Sequence, residues 1–430
     1  MQNPYAFQFF KPRNTLLLTG ALTLVLGFVL RHPLFLMISA TCMTSVVLGF
    51  VQATRLLREV HAERQHHDRA FQGSEVGVSL RIRGVATAPA ELVIVEDSFP
   101  PGTAGRVRKL LDFPLRNGSL VEVGYLGTCD HRRGLYLLGP VRIQACDPQG
   151  FFARELFLDT MTRLVVYPIA VDLEQAEVLG EGILSHVGLE AKPRAGVSEE
   201  FLGIREYRHG DPPRLIDWKS TARQGRIMVK EFEEEITTLV TFFLDIGRLG
   251  LVGVGDQTSV EYGIRCCASL AKRAQELGHD MQYFGVGQTV DHVARGSGIG
   301  HLLAILDRLA FAKAQGDSGF PFVVKDFARH LPRGSTAILL LGATTIDFDS
   351  MQPTVATLLD RRILPIFVLI DDRAFIKIYR EQEDRHHASL PLEEIARRLQ
   401  LMGAHIHIIK RAKTIEQALV QGLEQEGLRS

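Results

Sequence analysis

Two apolar runs near the start of the chain limit what it can become more than any other feature. Residues 15–30, TLLLTGALTLVLGFVL, and 33–51, PLFLMISATCMTSVVLGFV, hold no charged side chain, and only Arg31 and His32 separate them. A helix rises about 1.5 Å per residue, so each run reaches across most or all of a hydrocarbon layer roughly 30 Å thick. Inside a bilayer every backbone polar group must be satisfied within the chain, so the pattern predicts a tight helical hairpin. A cleaved signal peptide competes, because Lys11 and Arg13 precede the first run, but a second run directly after it favours an anchor. Lys11 and Arg13 flank one outer end, and Arg55, Arg58, Arg64 and Arg69 flank the other, against Arg31 in the turn. That bias predicts a multi-pass protein of the inner (cytoplasmic) membrane with both termini and the soluble domains in the cytoplasm. The stretch REVHAERQHHDR, 58–69, reads as a solvated juxtamembrane helix whose histidines lack metal-ligand spacing.

The period then changes. In EVGVSLRIRGV the residues Val76, Val78, Leu80 and Ile82 alternate with others, and ELVIVED, LVEVGYL, GLYLLGPVRIQAC and TRLVVYP follow between Gly, Pro and Asp. Such alternation predicts an all-β module over 61–171, a small sandwich more readily than a barrel. Residues 172–200 lose the alternation and gather Gly, Glu and Ser, as a flexible connection does. From 236 to 430 apolar strands such as ITTLVTFFL, MQYFGV, TAILLL, ILPIFVLI and HIHII interleave with helical patterns. One places Val260, Ile264, Cys267, Ala271, Ala274 and Leu277 on one face and stops at Gly278; others lie near 299–312, 350–361, 391–402 and 413–425. This predicts a parallel sheet covered on both faces, with ligands met at the carboxyl ends of its strands, where Asp245 sits. The domains expected are therefore a membrane hairpin with its juxtamembrane segment (1–60), the β module (61–171), a linker and charged segment (172–235) and the α/β domain (236–430).

Lys plus Arg and Asp plus Glu both number 49, so no charge excess points to nucleic acid. Five cysteines (Cys42, Cys129, Cys146, Cys266 and Cys267), odd in number and without a CxxC pair, fit neither a disulfide framework nor a zinc site. No cofactor is expected.

Charge concentrates instead in GIREYRHGDPPRLIDWKSTARQGRIMVKEFEEE, 203–235, which holds the only tryptophan, Trp218. It divides into a Gly-Asp-Pro turn, a short helix with Asp217 as N-cap and Gly225 as stop, and a strand RIMVKEF. Arg205, Arg214 and Arg223 can pair with Glu206, Asp211 and Asp217 while Trp218 fills a gap, giving a clasp or partner surface. The other reading is a membrane-tethered hydrolase working through Asp211 and Asp217 beside Lys219 or Lys230. No histidine, serine or cysteine there has a plausible base partner, so the clasp is preferred.

The segment resembles the signature of the domain of unknown function 58 family. Arg205, Glu206, Tyr207, Gly210, Asp211, Arg214, Ile216, Asp217, Trp218, Thr221, Ala222, Arg223, Lys230, Glu231, Phe232 and Glu235 fit that pattern position by position. RRGLYLLGPVRIQACDPQGFF, 132–152, and the paired apolar runs are also similar to the family. The resemblance implies a von Willebrand factor A-like domain and an association with MoxR-type AAA+ ATPases and other von Willebrand factor A proteins in assembly or chaperone-like systems, and it carries over no catalytic residues. Such domains often hold a divalent ion through Asp-x-Ser-x-Ser. Here DIGRL keeps Asp245 but puts Gly247 and Leu249 at the hydroxyl positions, and GATTID puts Gly342 and Ala343 where an aspartate is expected, with Thr344, Thr345 and Asp347 beyond as the residues that could compensate. The expectation is partner recognition at Asp245 without metal. An envelope-facing adhesion module would need the opposite topology.

Overall fold

The computed structural model describes residues 10–55, 57, 60–84, 92–111, 120–173, 194–208, 213–234, 239–255, 257–317, 319–371 and 390–410. The chain divides into two compact units, Met1–Tyr167 and Pro168–Ser430.

In the first unit the two apolar runs form helices α1 (Phe10–Leu30) and α2 (Pro33–Arg55), antiparallel about a turn in which Arg31 takes φ 49°. Both are long and apolar enough to cross a membrane. Small residues set their spacing: Ser39 donates its hydroxyl to the Gly20 carbonyl at 2.8 Å, and a Cβ on Gly27 would lie 2.7 Å from Leu36. Their outer faces present Leu18, Leu22, Phe28, Val29, Met37, Val47 and Phe50 to the surroundings.

Ten strands follow: β1 (Val60–Gln65), β2 (Arg69–Phe71), β3 (Glu75–Gly84), β4 (Leu92–Ser98), β5 (Arg106–Leu110), β6 (Leu120–Thr128), β7 (Gly134–Leu138), β8 (Val141–Cys146), β9 (Ala153–Leu158) and β10 (Thr162–Tyr167). They form three small sheets, ordered β1-β3-β6, β2-β10-β7 and β5-β4-β8-β9. Val76, Val78, Leu80 and Ile82 all point into one shared core with Val93, Val95, Ile143 and Leu164, as the alternation requires. Residues 60–65 are strand rather than juxtamembrane helix, because Val60, Ala62 and Arg64 share the inward face of β1 and pair with β3. Arg64 is thereby removed from the membrane flank. Its guanidinium holds the carboxylate of Asp97 through two nitrogens, one at 3.0 Å, and donates from Nη1 to the carbonyls of Leu138 at 2.9 Å and Thr160 at 2.6 Å. Tyr125 donates its hydroxyl to Asp97 at 2.7 Å, and burial, followed by the Asp97 charge, pushes that phenol well above its ordinary range. One buried network therefore ties strands of all three sheets.

The first strands described in the second unit form a hairpin. β11 (Arg194–Glu206) runs antiparallel to β12 (Met228–Glu234), so 194–200 is strand where a loose connection was expected. Between the two lies helix α3 (Trp218–Gln224). The main sheet contains β13 (Leu239–Asp245), then, after the short pair β14 (Gly253–Val254) and β15 (Gln257–Thr258), β16 (Asp280–Val286), β17 (Val290–Gly296), β18 (Thr336–Gly342), β19 (Leu364–Ile370) and β20 (His405–Ile409). Its order is β17-β16-β13-β18-β19-β20. Five strands are parallel and β17 is antiparallel at one edge, a departure from an all-parallel sheet: the short link from Val286 to Val290 leaves no room for a crossover helix. Helix α4 (Ser259–Glu276) covers one face, and α5 (Gly298–Phe311) packs on it. Gly263 permits that approach, since a Cβ there would lie 3.1 Å from both Leu244 and Ile370. The other face is covered by α6 (Phe320–Ala328), α7 (Phe348–Asp360) and α8 (Leu392–Leu401), which share a core with Phe243, Leu339, Phe367 and Ile406. The helix expected near 413–425 lies outside the described residues.

Candidate functional site

The charged segment folds around backbone pairing, and its signature side chains are placed by that pairing. Tyr207 donates its N–H to the Ile227 carbonyl at 2.9 Å, and Ile216 bridges Val229, so the loop between β11 and β12 is drawn back onto β12. Asp217 caps α3: its Oδ1 accepts from the amides of Lys219 at 3.0 Å and Ser220 at 3.2 Å. A carboxylate at a helix start satisfies orphan donors and meets the positive end of the helix. The helix is then pinned twice to Met228, whose carbonyl accepts the Asp217 N–H at 2.8 Å and whose N–H reaches the Thr221 hydroxyl at 3.0 Å. Gly225, at φ 68°, ends it as the sequence implies. Asp217 and Thr221, four residues apart, are thus the two side chains that shape the turn.

The pinning turns the remaining residues outward. Trp218 is 70% exposed, so it fills no gap: on the first turn of so short a helix, with Met228 and Val229 taking the inward positions, nothing described covers its ring. Lys219, Ala222, Arg223 and Lys230 are exposed as well. Of the expected ion pairs, those of Arg214 and Asp211 lie outside the described residues, and the contacts seen for the others are these. Arg205 donates to the carbonyl of Glu206 at 3.1 Å, Glu206 faces Arg226 at 3.6 Å on the surface, and Asp217 is engaged with amides rather than with Arg223. Gly210, Asp211 and Glu235 lie outside the described residues, as do the side chains of Arg214, Glu231 and Phe232.

A second place of interest is the carboxyl end of the sheet. Asp245 closes β13, and its Oδ1 accepts the Gly247 N–H at 2.8 Å. Gly250, which sequence reading overlooked, borders it: a Cβ there would stand 3.8 Å from Asp245 Oδ2 and 3.4 Å from the Thr345 methyl. Thr345 donates to the Gly342 carbonyl at 2.8 Å. Asp347 caps α7, accepting from Ser350 Oγ at 2.5 Å and the Asp349 amide at 3.3 Å; the Ser350 bond above all holds its carboxyl below the ordinary range. Among the described residues of this loop pair, Asp245 supplies a carboxylate, Thr345 turns its methyl toward Gly250 while its hydroxyl serves the Gly342 carbonyl, and Gly247 and Leu249 supply no side-chain oxygen. A divalent ion needs about six oxygens, so these residues do not fit one. Among the described residues no group of three or more His, Cys, Asp and Glu side chains could hold a metal.

Residues 203–356, from β11 through the signature and into α7, match the family described as Protein of unknown function DUF58. The chain is also 27% identical over 183 residues to the uncharacterized protein YeaD of Bacillus subtilis (strain 168), an alignment covering 41% of this chain and 45% of that protein. The chain thus spans about half the length of the curated relative it matches. Among solved structures, a cohesin module from a Clostridium perfringens ATCC13124 family 33 glycoside hydrolase is 17% identical with a TM-score of 0.19, covering 25% of this chain and 97% of that one. A Listeria innocua beta-glucosidase is 12% identical with a TM-score of 0.16, covering 25% and 16%. Likenesses at these scores carry no argument about fold or activity.

Proposed function

We propose that this chain is a membrane-anchored, non-enzymatic interaction protein. Its second unit is von Willebrand factor A-like, and it docks a MoxR-type AAA+ ATPase, alone or with other von Willebrand factor A-like proteins, in an assembly or chaperone-like system. The observation that carries this reading is the arrangement around Asp217: the carboxylate a hydrolase would use caps a helix, and the capped helix lifts Trp218 into solvent. An exposed tryptophan ringed by charge suits a protein partner, since tryptophan and arginine dominate binding energy at interfaces. Asp245, at the sheet's carboxyl end without a metal-ligand set, is a second contact point, suited to a basic side chain of a partner. The anchor is α1 and α2 in the inner (cytoplasmic) membrane, with both termini and both soluble parts cytoplasmic. With Arg64 buried, that topology rests on Lys11, Arg13, Arg55, Arg58 and Arg69 against Arg31.

The test is a binding titration between the full chain in nanodiscs and a purified MoxR-type ATPase from the same organism, with ATP present. Binding that Trp218→Ala weakens about thirtyfold or more supports the reading, because truncating an interface anchor costs about 2 kcal/mol or more. Absence of binding by the wild type, or a hydrolysis abolished by Asp217→Asn, overturns it.

A further inference from the structure

The end of α2 is gripped by the β-rich part of the first unit. Gly49 is buried where α2 meets the β8–β9 turn: a Cβ there would lie 3.1 Å from Asp147 Oδ2, 3.3 Å from Gln149 Oε1 and 3.4 Å from Phe151. One residue on, Phe50 meets Phe152 edge to face with ring centroids 5.6 Å apart. Arg13, at the start of α1, holds its guanidinium 5.2 Å from the centroid of the same Phe152 ring. Arg154 donates from Nη1 to the Thr54 carbonyl at 2.8 Å, in the last turn of α2 where carbonyls lack helical partners. The turn needs nothing from outside. The Asp147 carboxylate accepts from the amides of Gln149 at 3.2 Å and Phe152 at 2.6 Å, and the Gly150 amide donates to the Asp147 carbonyl at 2.9 Å.

Depth follows from the helix. Exposed large apolar side chains on α2 begin at Leu34 and end at Val51, which at about 1.5 Å per residue covers most of a hydrocarbon layer roughly 30 Å thick. Gly49 and Phe50 fall inside that stretch, so whatever grips them stands where hydrocarbon gives way to headgroups. A self-satisfied turn bearing aromatic rings, with two guanidiniums beside it, has the chemistry of that boundary.

We infer that the β8–β9 turn is a foot that seats this unit on the bilayer. Phe152 lies at the hydrocarbon boundary, the exposed Pro148 and Gln149 lie among the headgroups, and Arg13 and Arg154 face the phosphates of anionic phospholipid. The inference rests on the membrane-anchor reading above, and it adds that the β-rich part is held against the membrane surface.

The full chain carrying Cys42→Ala, its other four cysteines being buried, is given single cysteines at Leu22, Gln149 or Glu75, labelled with a small fluorophore and reconstituted into vesicles containing lipid-borne quenchers. Glu75 is the remote control: Gly84 pairs with Val60, just after α2, and Glu75 is at the opposite end of β3, about 30 Å away at about 3.3 Å per residue. The expected result is acyl-chain quenching at Leu22, headgroup quenching at Gln149 several-fold above that at Glu75, and a fall at Gln149 with Arg13→Gln/Arg154→Gln in phosphatidylglycerol vesicles. Quenching at Leu22 with Gln149 no different from Glu75 overturns the foot and leaves the anchor standing. An unquenched Leu22 overturns the anchor reading, and the foot with it. Indifference of Gln149 both to the arginine substitutions and to replacing phosphatidylglycerol by phosphatidylcholine overturns the phosphate contacts.

Discussion

In the first unit Arg64 and Asp97 have side chains 0% and 1% exposed and join strands of three sheets, whereas in the second unit Glu206 and Arg226 meet at 3.6 Å on the surface. Both are arginine–carboxylate pairs, and their surroundings give them opposite roles. Buried charge is held in place because every donor and acceptor finds a partner, and removing one member strands the other in a low dielectric. Exposed charge is screened and competes with water, so it contributes little to stability and stays available to a partner. Density of charge along a chain is therefore a poor guide to where charge holds a fold together.

The contrast can be broken at several points. Asp97→Ala should destabilise the first unit by about 3–5 kcal/mol, since it leaves the Arg64 guanidinium uncompensated; urea unfolding followed by near-UV circular dichroism measures it. Arg64→Met with Asp97→Leu should recover part of that loss, and a single mutant within about 1 kcal/mol of wild type would contradict the role of the network. Glu96 comes next. Burial opposes its ionisation, but Arg108 and Arg106, at 2.5 and 3.0 Å, outweigh burial and hold its carboxyl below the ordinary range. A depressed pKa means its stabilisation is present above the unfolded value of about 4.5 and lost as pH falls through the folded value. Glu96→Gln should flatten the acid limb of a stability–pH curve, and an unchanged limb would assign that loss elsewhere.

In the second unit the effects should shrink. Asp217→Ala removes a helix cap and should cost about 1 kcal/mol, with Asp217→Asn close to wild type because asparagine caps as well. A double-mutant cycle on Glu206 and Arg226 should return less than about 1 kcal/mol. Trp218→Ala should shift stability least, within about 0.5 kcal/mol, because the ring packs against nothing described.

Much of this was legible in the residues. Uncharged length predicts α1 and α2, period-2 alternation predicts β3, and an Asp followed by a short helical run and Gly predicts the cap and stop of α3. What escaped depends on partners distant along the chain. β1 carries an arginine at an inward position, which reads as polar until Asp97, 33 residues on, arrives to neutralise it. The antiparallel edge β17, VDHVARG, pairs on one side only among the described residues, so its alternation is mixed with charge. The outward turn of Trp218 follows from Met228 clasping the Asp217 amide and the Thr221 hydroxyl, a pairing with a residue on the next strand that local spacing does not reveal. At the candidate site the cap was readable, while the nearness of Gly250 and Thr345 to Asp245 required the sheet.

The central claim is that the signature segment recognises a partner while the buried network holds the fold. The most direct measurement puts both readouts on the same two preparations, melting temperature and ATPase affinity for Trp218→Ala and for a conservative network variant, Tyr125→Phe. The account predicts that Trp218→Ala keeps its melting temperature and loses affinity, whereas Tyr125→Phe, which strips one hydrogen bond from Asp97, melts lower and binds at full affinity below its melting point. A Trp218→Ala protein that melts lower yet binds as wild type would contradict it.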